Sequence, residues 1–261
     1  MKPDTKDRVT REAEFYDNAR LQRDGFENTL AYLNNGIGKL RRNEAIRAAM
    51  RDTTGRRVLE IGSQSWEWCL FRYGYQPQKL ICINISQAEL DIGRAHASQL
   101  GFACDFRKMD AHTLEFSDAS FDMVFGVAIL HHLDFGRAMH EIHRVLRVGG
   151  KILFVEPLRH NPVARLVRWL TPRARTLDEL PLGRPELRLV ERNFEAQNYY
   201  SEMFTVIGTM VARPIFENPI NPLTRLCDRA DDLLIRLVPA MSAYYRSVVI
   251  SGTKMVDSWR D

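Results

Sequence analysis

Alternating strand-like and helix-like segments between residues 58 and 157 constrain the fold more than any other feature of the sequence. Short apolar runs rich in β-branched residues are separated by longer segments in which apolar residues recur at helical spacing. Strands joined by helices imply right-handed crossovers, so this order predicts a doubly wound α/β domain with a mostly parallel sheet. The predicted strands are 58–61, 80–85, 103–108, 121–127 and 151–156, and the predicted helices are 66–73, 87–100 and 134–148, the last stopped by Gly149-Gly150.

Two segments outside this pattern are expected to cover the domain. Residues 1–52 predict an N-terminal helical lid, with helical spacing before residue 20 and again over 29–50. Phe15 and Tyr16 in the first helix either roof an active site or anchor the helix on the body of the protein. Residues 158–193 are rich in proline and arginine, which permits only short helices, and they predict an insertion on the substrate side.

The C-terminal part, residues 194–261, is expected to complete the same sheet. A strand at about 200–206 runs into a helix, and a closing strand spans 244–254. Between them, 219–237 predicts an amphipathic helix. Its apolar stripe is formed by Leu223, Leu226, Ala230, Leu233, Leu234 and Leu237.

The length, charge and cysteine content of the chain exclude several classes of protein. The chain has 261 residues, 45% of them hydrophobic, which suffices for one larger domain with a real core. Its formal charge of +4 is small and its basic residues are dispersed, which argues against a dedicated nucleic-acid binder. Four cysteines without a CxxC pair predict free thiols in a reducing cytosol. No apolar stretch is long enough to span a bilayer, and the N-terminus lacks the apolar core of a signal peptide. We therefore expect a cytoplasmic protein.

A polar residue lies near the end of each of the first two strands, where open α/β sheets bind ligands. Glu60 lies within the first strand and Gly62 follows it, so the backbone can turn sharply and admit a ligand close to the main chain. Asn84 ends the second strand, where a nucleoside-binding fold grips ribose hydroxyls. Taken alone, the first stretch is equally consistent with an ordinary turn and a solvated glutamate.

Five ordered segments together resemble the class I S-adenosylmethionine-dependent methyltransferases of the small-molecule type. They are Arg57 to Trp66, Leu80 to Ser86, Asp110-Ala111, Phe121 to Val127 and Gly149 to Pro157. The resemblance implies a doubly wound, seven-stranded, mostly parallel sheet whose last strand is antiparallel. It also implies S-adenosylmethionine as cofactor and S-adenosylhomocysteine as product.

The resemblance also implies cofactor contacts at the strand ends. Two positions depart from the family pattern, because the glycine-rich run keeps only Gly62 and Asn84 replaces the commoner acidic residue. The implied cofactor-binding residues are Glu60, Gly62, Ser63, Gln64, Asn84, Ile85, Asp110, Ala111 and Val127.

Methyl transfer to a hydroxyl or an amine requires a base, and histidine titrates near neutral pH. His131, His132 and His160 are the catalytic candidates, although one of the first two could instead cap the helix that follows. The substrate-side candidates are Tyr16, Glu156, Trp169, Tyr199 and Tyr200. The histidines lack partners at recognised ligand spacing, so we expect no metal site.

The function these features predict is methyl transfer to O, N or C of a small, apolar, natural-product-like acceptor. The alternative is a cyclase, an isomerase or a non-catalytic member of the same fold. We expect a small molecule as partner, no nucleic acid and no membrane span, with a homo-oligomer possible. A base-amino nucleic-acid methyltransferase is disfavoured, because the chain lacks an Asn/Asp-Pro-Pro-aromatic tetrad.

Overall fold

The computed structural model describes residues 5–18, 35–170 and 179–260. Within these ranges the strands are β1 (Arg57–Ile61), β2 (Lys79–Asn84), β3 (Asp105–Lys108), β4 (Phe121–Val127), β5 (Leu146–Pro157), β6 (Phe194–Ser201) and β7 (Ser247–Lys254). They form one sheet of seven strands in the order β3-β2-β1-β4-β5-β7-β6. Strand β7 is antiparallel to both β5 and β6, and β1 to β5 pair in parallel. The predicted fold class is confirmed.

Helices cover both faces of this sheet. They are α1 (Thr5–Asn18), α2 (Ile37–Met50), α3 (Trp66–Cys69), α4 (Gln87–Leu100), α5 (Phe135–Val145), α6 (Pro162–Leu170), α7 (Arg184–Asn193), α8 (Phe204–Ala212) and α9 (Pro222–Leu237). Successive strand residues point to opposite faces, so Leu59 and Ile61 join one buried core with α5 and α7. Val58 joins the other, with α2, α3 and α4. No described helix combines the length and the apolar character needed to cross a membrane.

The helix predicted over 134–148 is shorter than expected and the strand after it is longer. Helix α5 ends at Val145, and Leu146 already pairs with Phe121 of β4. The register then shifts before Met123, and Gly149 takes up the extra length with a φ of 77°. The glycine pair therefore forms an irregularity inside β5 rather than a helix stop, because pairing with β4 overrides the local helical pattern.

The strand predicted at about 200–206 was misplaced. Strand β6 ends at Ser201, Glu202 adopts a φ of 71°, and helix α8 begins at Phe204. The start of α8 is capped by Asp231 of α9, whose carboxylate accepts backbone N–H bonds from Met203, Phe204 and Thr205 at 2.6 to 3.2 Å. Local sequence could not reveal a cap that comes from another helix.

The helix predicted over 66–73 is interrupted. Helix α3 ends at Cys69, a 3₁₀ turn spans Phe71–Tyr73, and Gly74 ends it in the left-handed region with a φ of 70°. The amide of Tyr75 donates to the carbonyl of Leu70, which closes the segment on itself. The chain thereby turns back to the start of β2.

The apolar stripe of the amphipathic helix is largely exposed. Leu226, Leu233 and Leu237 of α9 face solvent, although such a stripe ordinarily faces the core. The buried side of α9 instead holds polar residues, including Asp228 and Asp231. Asp231 is buried because it caps α8, so a tertiary contact decides which side of α9 turns inward.

The insertion after β5 is anchored at its far end. A bridge pairs Leu158 with Leu182, and Leu182 is buried with Leu187 of α7 in the core. Helix α6 behaves differently, because Leu166 and Trp169 are exposed to solvent, Trp169 by 76%. Trp169, a predicted substrate-side residue, therefore does not pack into the core in this structure.

Candidate active site

A cavity of about 340 Å³ lies at the carboxyl ends of β1, β2, β3 and β4. Parallel strands bring these ends to one edge, and helix α1 reaches across to complete the wall. The volume of the cavity falls within the ~300–1,000 Å³ usual for ligand pockets. Seven of the predicted cofactor residues line it: Gly62, Gln64, Asn84, Ile85, Asp110, Ala111 and Val127.

The turn after β1 forms one side of the cavity. Gly62 has a φ of 108° and Ser63 a φ of 56°, so the backbone reverses within two residues. The amide of Gly62 donates to the carbonyl of Ile83, which fixes the turn against β2. The side chain of Gln64 lines the cavity, whereas that of Trp66 is buried against Phe102 with the rings stacked at 5.1 Å. These side chains therefore leave the hollow open.

Glu60 supports this turn from behind the cavity wall. It is fully buried, and its Oε1 accepts from the backbone amide and the hydroxyl of Ser65, both at 2.6 Å. Its Oε2 accepts from Cys82 Sγ at 2.9 Å. Burial raises the pKa of the Glu60 carboxyl above its ordinary value, against the effect of these hydrogen bonds. The geometry gives Glu60 a role in holding the turn.

Asn84 ties the ends of β1 and β2 together. Its Nδ2 donates to the carbonyl of Gly62 at 2.9 Å and to the Ser63 hydroxyl at 3.2 Å. Its Oδ1 accepts from the amide of Ser86 at 2.9 Å, which leaves one lone pair for a ligand. Ser63 itself is buried under this arrangement.

Asp110 is held as an anion beside the cavity. Its Oδ1 lies 2.9 Å from the amide of His112 and 2.6 Å from His112 Nδ1. His112 Nε2 accepts from the amide of Asp134 at 2.8 Å, so the ring proton is on Nδ1 and is donated to Asp110. Burial alone would raise the pKa of Asp110, but the bonds from His112 hold it below its ordinary value. The other carboxylate oxygen is left to accept from a ligand.

The two neighbouring histidines occupy different surroundings. Glu156 is buried, and its Oε1 accepts from the amides of Ile129 and Leu130 at 2.9 and 2.8 Å. Its Oε2 lies 2.6 Å from His131 Nδ1, so Glu156 fixes that ring and the turn that carries it. His132 lines the cavity, with its Nδ1 3.1 Å from Glu12 Oε2. Of the two rings, only that of His132 borders the cavity wall.

Glu179 brings a third ligand-type group to the histidine pair. One ligand atom from each of His131, His132 and Glu179 lies within 4.8 Å of the others, and His131 Nε2 is 3.9 Å from Glu179 Oε1. This grouping could hold a metal ion. Sequence reasoning missed it, because Glu179 is distant along the chain from the histidines.

The other candidates lie away from the cavity or outside the described side chains. His160 is exposed and contacts Tyr244 with ring centroids 6.2 Å apart. Tyr199 and Tyr200 are in β6, four strands from β1 and roughly 20 Å away at ~4.8 Å per strand. Tyr16 lies in α1, but its side chain is outside the described part of the structure, as is Leu177. The fold does not bring His160, Trp169 and the tyrosine pair to the cavity.

Several cavity residues were not predicted. Glu12 and Arg8 arrive from α1, Trp68 from α3, and Glu89 from the first turn of α4. Glu89 is buried one turn beyond the strand end at Asn84. The sequence did carry one signal for it, an acidic residue at the third position after a helix-capping Ser86.

The chain is similar in sequence to known methyltransferases. A family described as "Methyltransferase domain" matches residues 59–154. The chain is 26% identical over 149 residues to a demethylmenaquinone methyltransferase of Bacteroides fragilis, covering 55% of this chain and 58% of that protein. It is 28% identical over 178 residues to a ubiquinone biosynthesis O-methyltransferase of Alkalilimnicola ehrlichii, covering 67% and 69%. The match thus spans less than two thirds of the first relative's length.

The fold also matches solved structures. The [4+2]-cyclase SpnF superimposes with a TM-score of 0.55 at 19% identity, covering 83% of this chain and 80% of that one. At this identity the likeness concerns the fold alone. The same fold therefore supports more than one chemistry.

Proposed function

We propose that this chain, whose residues 59–154 belong to the class I S-adenosylmethionine-dependent methyltransferases, transfers a methyl group to a small apolar acceptor. The observation that carries the proposal is the cavity itself. It joins the Gly62 turn, the strand ends at Asn84 and Asp110, and an imidazole, His132, in one wall.

The residues present fit the parts of the cofactor. Gly62 has no side chain, and a Cβ there would meet only Ile129 at 3.7 Å, so the methionyl portion can approach the backbone. Ile85 offers an apolar surface to the adenine, and Asp110 an acceptor for its amino group. Glu89 and the free lone pair of Asn84 are suited to accept from the ribose hydroxyls.

The bound sulfonium supplies an activated methyl group, and the chain positions the acceptor and receives its proton. We assign His132 as the base, because its ring borders the cavity and lies beside Val127 and Ala128 in the wall. Glu12 and Glu156 would orient the histidine pair, since each places a carboxylate against an Nδ1 atom. Helix α1 would exclude water by closing the wall with Val9 and Glu12.

For the acceptor we propose a lipophilic phenol or quinol. The curated relatives take their names from menaquinone and ubiquinone biosynthesis. The cavity has apolar walls at Ile129 and Leu133, next to His132. A phenolic hydroxyl loses its proton to an imidazole more readily than an aliphatic one does. The free cysteines of the described chain also agree with action in a reducing compartment.

Two measurements test the proposal. Isothermal titration with S-adenosylhomocysteine should give saturable binding, and no heat at high micromolar ligand would overturn cofactor binding. Transfer of a labelled methyl group should then be assayed on a panel of prenylated phenols. His132→Gln should leave the Kd for S-adenosylhomocysteine within about twofold and lower kcat by a factor of roughly 10² to 10⁴. His96→Gln, on the exposed side of α4, is the matched control.

The second candidate keeps the cofactor and omits the transfer. This candidate is a cyclase, an isomerase or a non-catalytic binding protein. It is motivated by the residues after Gly62, where Ser63, Gln64, Ser65 and Trp66 stand in place of a glycine-rich run. If S-adenosylmethionine binds but no acceptor in the panel is methylated, this second candidate replaces the first.

A further inference from the structure

Helix α8 has its apolar side turned to solvent. Phe204, Ile207, Met210 and Val211 are 40% to 53% exposed, and Phe204–Ala212 contains no charged residue. The buried side of the same helix carries Val206 and Ala212 together with Thr205, Gly208 and Thr209. The helix is therefore apolar toward solvent as well as toward the core, whereas an ordinary surface helix is polar toward solvent.

Helix α9 adds leucines and cations to this exterior. Leu226, Leu233 and Leu237 are 57% to 71% exposed, and Arg225, Arg229 and Arg236 are exposed on the same helix. Asp232 lies on the arginine side of α9, three residues from Arg229 and four from Arg236, whereas the other two acids of the helix do not. Asp228 and Asp231 are buried, and Asp232 lies 2.5 Å from the guanidinium of Arg41.

The two helices form one unit. A Cβ on Gly208 of α8 would lie 2.5 Å from Cys227 Sγ of α9, so the helices touch closely, and Asp231 caps α8. We call the exposed apolar residues of α8 together with the exposed leucines and arginines of α9 the α8–α9 surface.

This surface borders the edge of the sheet that carries the cavity. Strand β6 is antiparallel to β7, as β5 is, so β6 ends at the same edge as β4 and β5, and α8 follows directly. Helix α6 follows β5 at that edge and exposes Leu166 and Trp169 beside Arg165. Apolar and cationic groups therefore lie along the same edge of the sheet as the cavity.

We infer that the α8–α9 surface docks on an anionic lipid bilayer, with its apolar side chains in the headgroup region and its arginines against lipid phosphates. Leucine-rich helices with basic residues and outward apolar faces bind membrane surfaces in this way. A second copy of the chain fits less well. In a twofold interface centred on the arginines of α9, these cations would approach their own equivalents, and the neighbouring acid, Asp232, is already paired with Arg41.

The test is flotation of the full chain with phosphatidylcholine vesicles, with and without phosphatidylglycerol. The inference predicts binding to the anionic vesicles and little to the neutral ones. Arg225→Gln, Arg229→Gln and Arg236→Gln combined should weaken binding on the order of a hundredfold. Ile207→Gln with Val211→Gln should weaken it at least about tenfold. The matched control is Arg51→Gln, Arg72→Gln and Lys79→Gln, three exposed cations toward the opposite edge of the sheet.

Several results would overturn the inference. The first is that the chain does not float with anionic vesicles. The second is that the control triple variant loses as much vesicle binding as the arginine variant, and the third is that neither the arginine variant nor the Ile207→Gln with Val211→Gln variant binds vesicles more weakly. Sedimentation velocity on the same proteins tests whether the surface instead binds a second copy of the chain. If the chain is a dimer that Ile207→Gln with Val211→Gln dissociates while vesicle binding persists, the inference is also contradicted. Vesicle binding is measured without cofactor or acceptor, so it stands or falls separately from methyl transfer. An unchanged urea-unfolding midpoint verifies that each variant is folded.

Discussion

Glu156 Oε2 lies 2.6 Å from His131 Nδ1 at the end of β5, while Glu156 Oε1 accepts two amides of the turn that leads to His132. One buried carboxylate therefore fixes both the ring of His131 and the backbone that positions the proposed base. We therefore propose that Glu156 positions His131 and His132; the prediction from the sequence that Glu156 contacts the substrate stays a prediction.

We expect Glu156→Gln to lower kcat about 10- to 100-fold, because an amide cannot accept at both oxygen positions. Steady-state kinetics and S-adenosylhomocysteine titration measure the effect. A merely structural role would lower stability without changing the pH profile of kcat, whereas misplacement of the base should shift that profile. Glu195→Gln, an exposed acid on β6, is the control.

Glu89 is expected to strengthen cofactor binding. Its carboxylate lines the cavity one turn beyond Asn84, whose own donors are used within the protein. Glu89→Gln replaces a charged acceptor by a neutral one, so the Kd for S-adenosylhomocysteine should rise roughly tenfold. Asp91→Asn, an exposed acid on the same helix, should leave the Kd unchanged. If Glu89→Gln and Asp91→Asn bind S-adenosylhomocysteine with the same Kd, Glu89 does not contribute to cofactor binding.

Gly93 is required where α4 passes behind the Gly62 turn. A Cβ there would lie 2.6 Å from Phe106 Cε1 and 3.2 Å from the carbonyl of Ser63. Gly93→Ala should therefore lower the free energy of unfolding by about 1–3 kcal/mol, measured by urea denaturation. Gly136→Ala in α5 is the contrast, because its nearest neighbour is Asp134 Oδ1 at 3.8 Å. That variant should gain about 0.5–1 kcal/mol, and loss in both would show that steric contact is not the cause.

His143 should make the fold sensitive to mild acid. Burial, and then the nearby charge of Lys254, lower the pKa of His143 from 6.5 to about 4. Between pH 6.5 and about pH 4, His143 is mostly protonated in the unfolded chain and mostly neutral in the folded chain. The stability contribution is therefore complete above pH 6.5 and is lost as pH falls toward 4.

We expect the free energy of unfolding to decrease over that window by on the order of 2–3 kcal/mol. His143→Gln should flatten the dependence, whereas the exposed His96→Gln should not. An unchanged slope in His143→Gln would assign the acid sensitivity to other groups.

Methyl transfer is expected to survive chelation. Nitrogen and oxygen ligands of zinc sit about 2.0–2.2 Å from the metal, so a tetrahedral pair is roughly 3.5 Å apart. His131 Nε2 and Glu179 Oε1 are 3.9 Å apart, and the group as a whole spreads up to 4.8 Å. Activity should be equal before and after dialysis against EDTA. A loss restored by one divalent cation would show that His131, His132 and Glu179 close around a metal.

The sequence by itself determined the sheet and the location of the cavity. Alternating apolar strands and helices leave few topologies, and parallel strands carry their carboxyl ends to one edge. Gly62, Asn84 and Asp110 could therefore be placed together from the sequence, because each lies at or just after the end of a strand.

Tertiary structure decided which way side chains point and which distant groups meet. Glu60 turns inward because Ser65 and Cys82 donate to it, and Asp231 turns inward because it caps α8. Because Asp231 turns inward, Leu226, Leu233 and Leu237 of α9 point to solvent, although an apolar stripe ordinarily faces the core. Local spacing fixes the period of a helix, but only the packed neighbours fix its rotation.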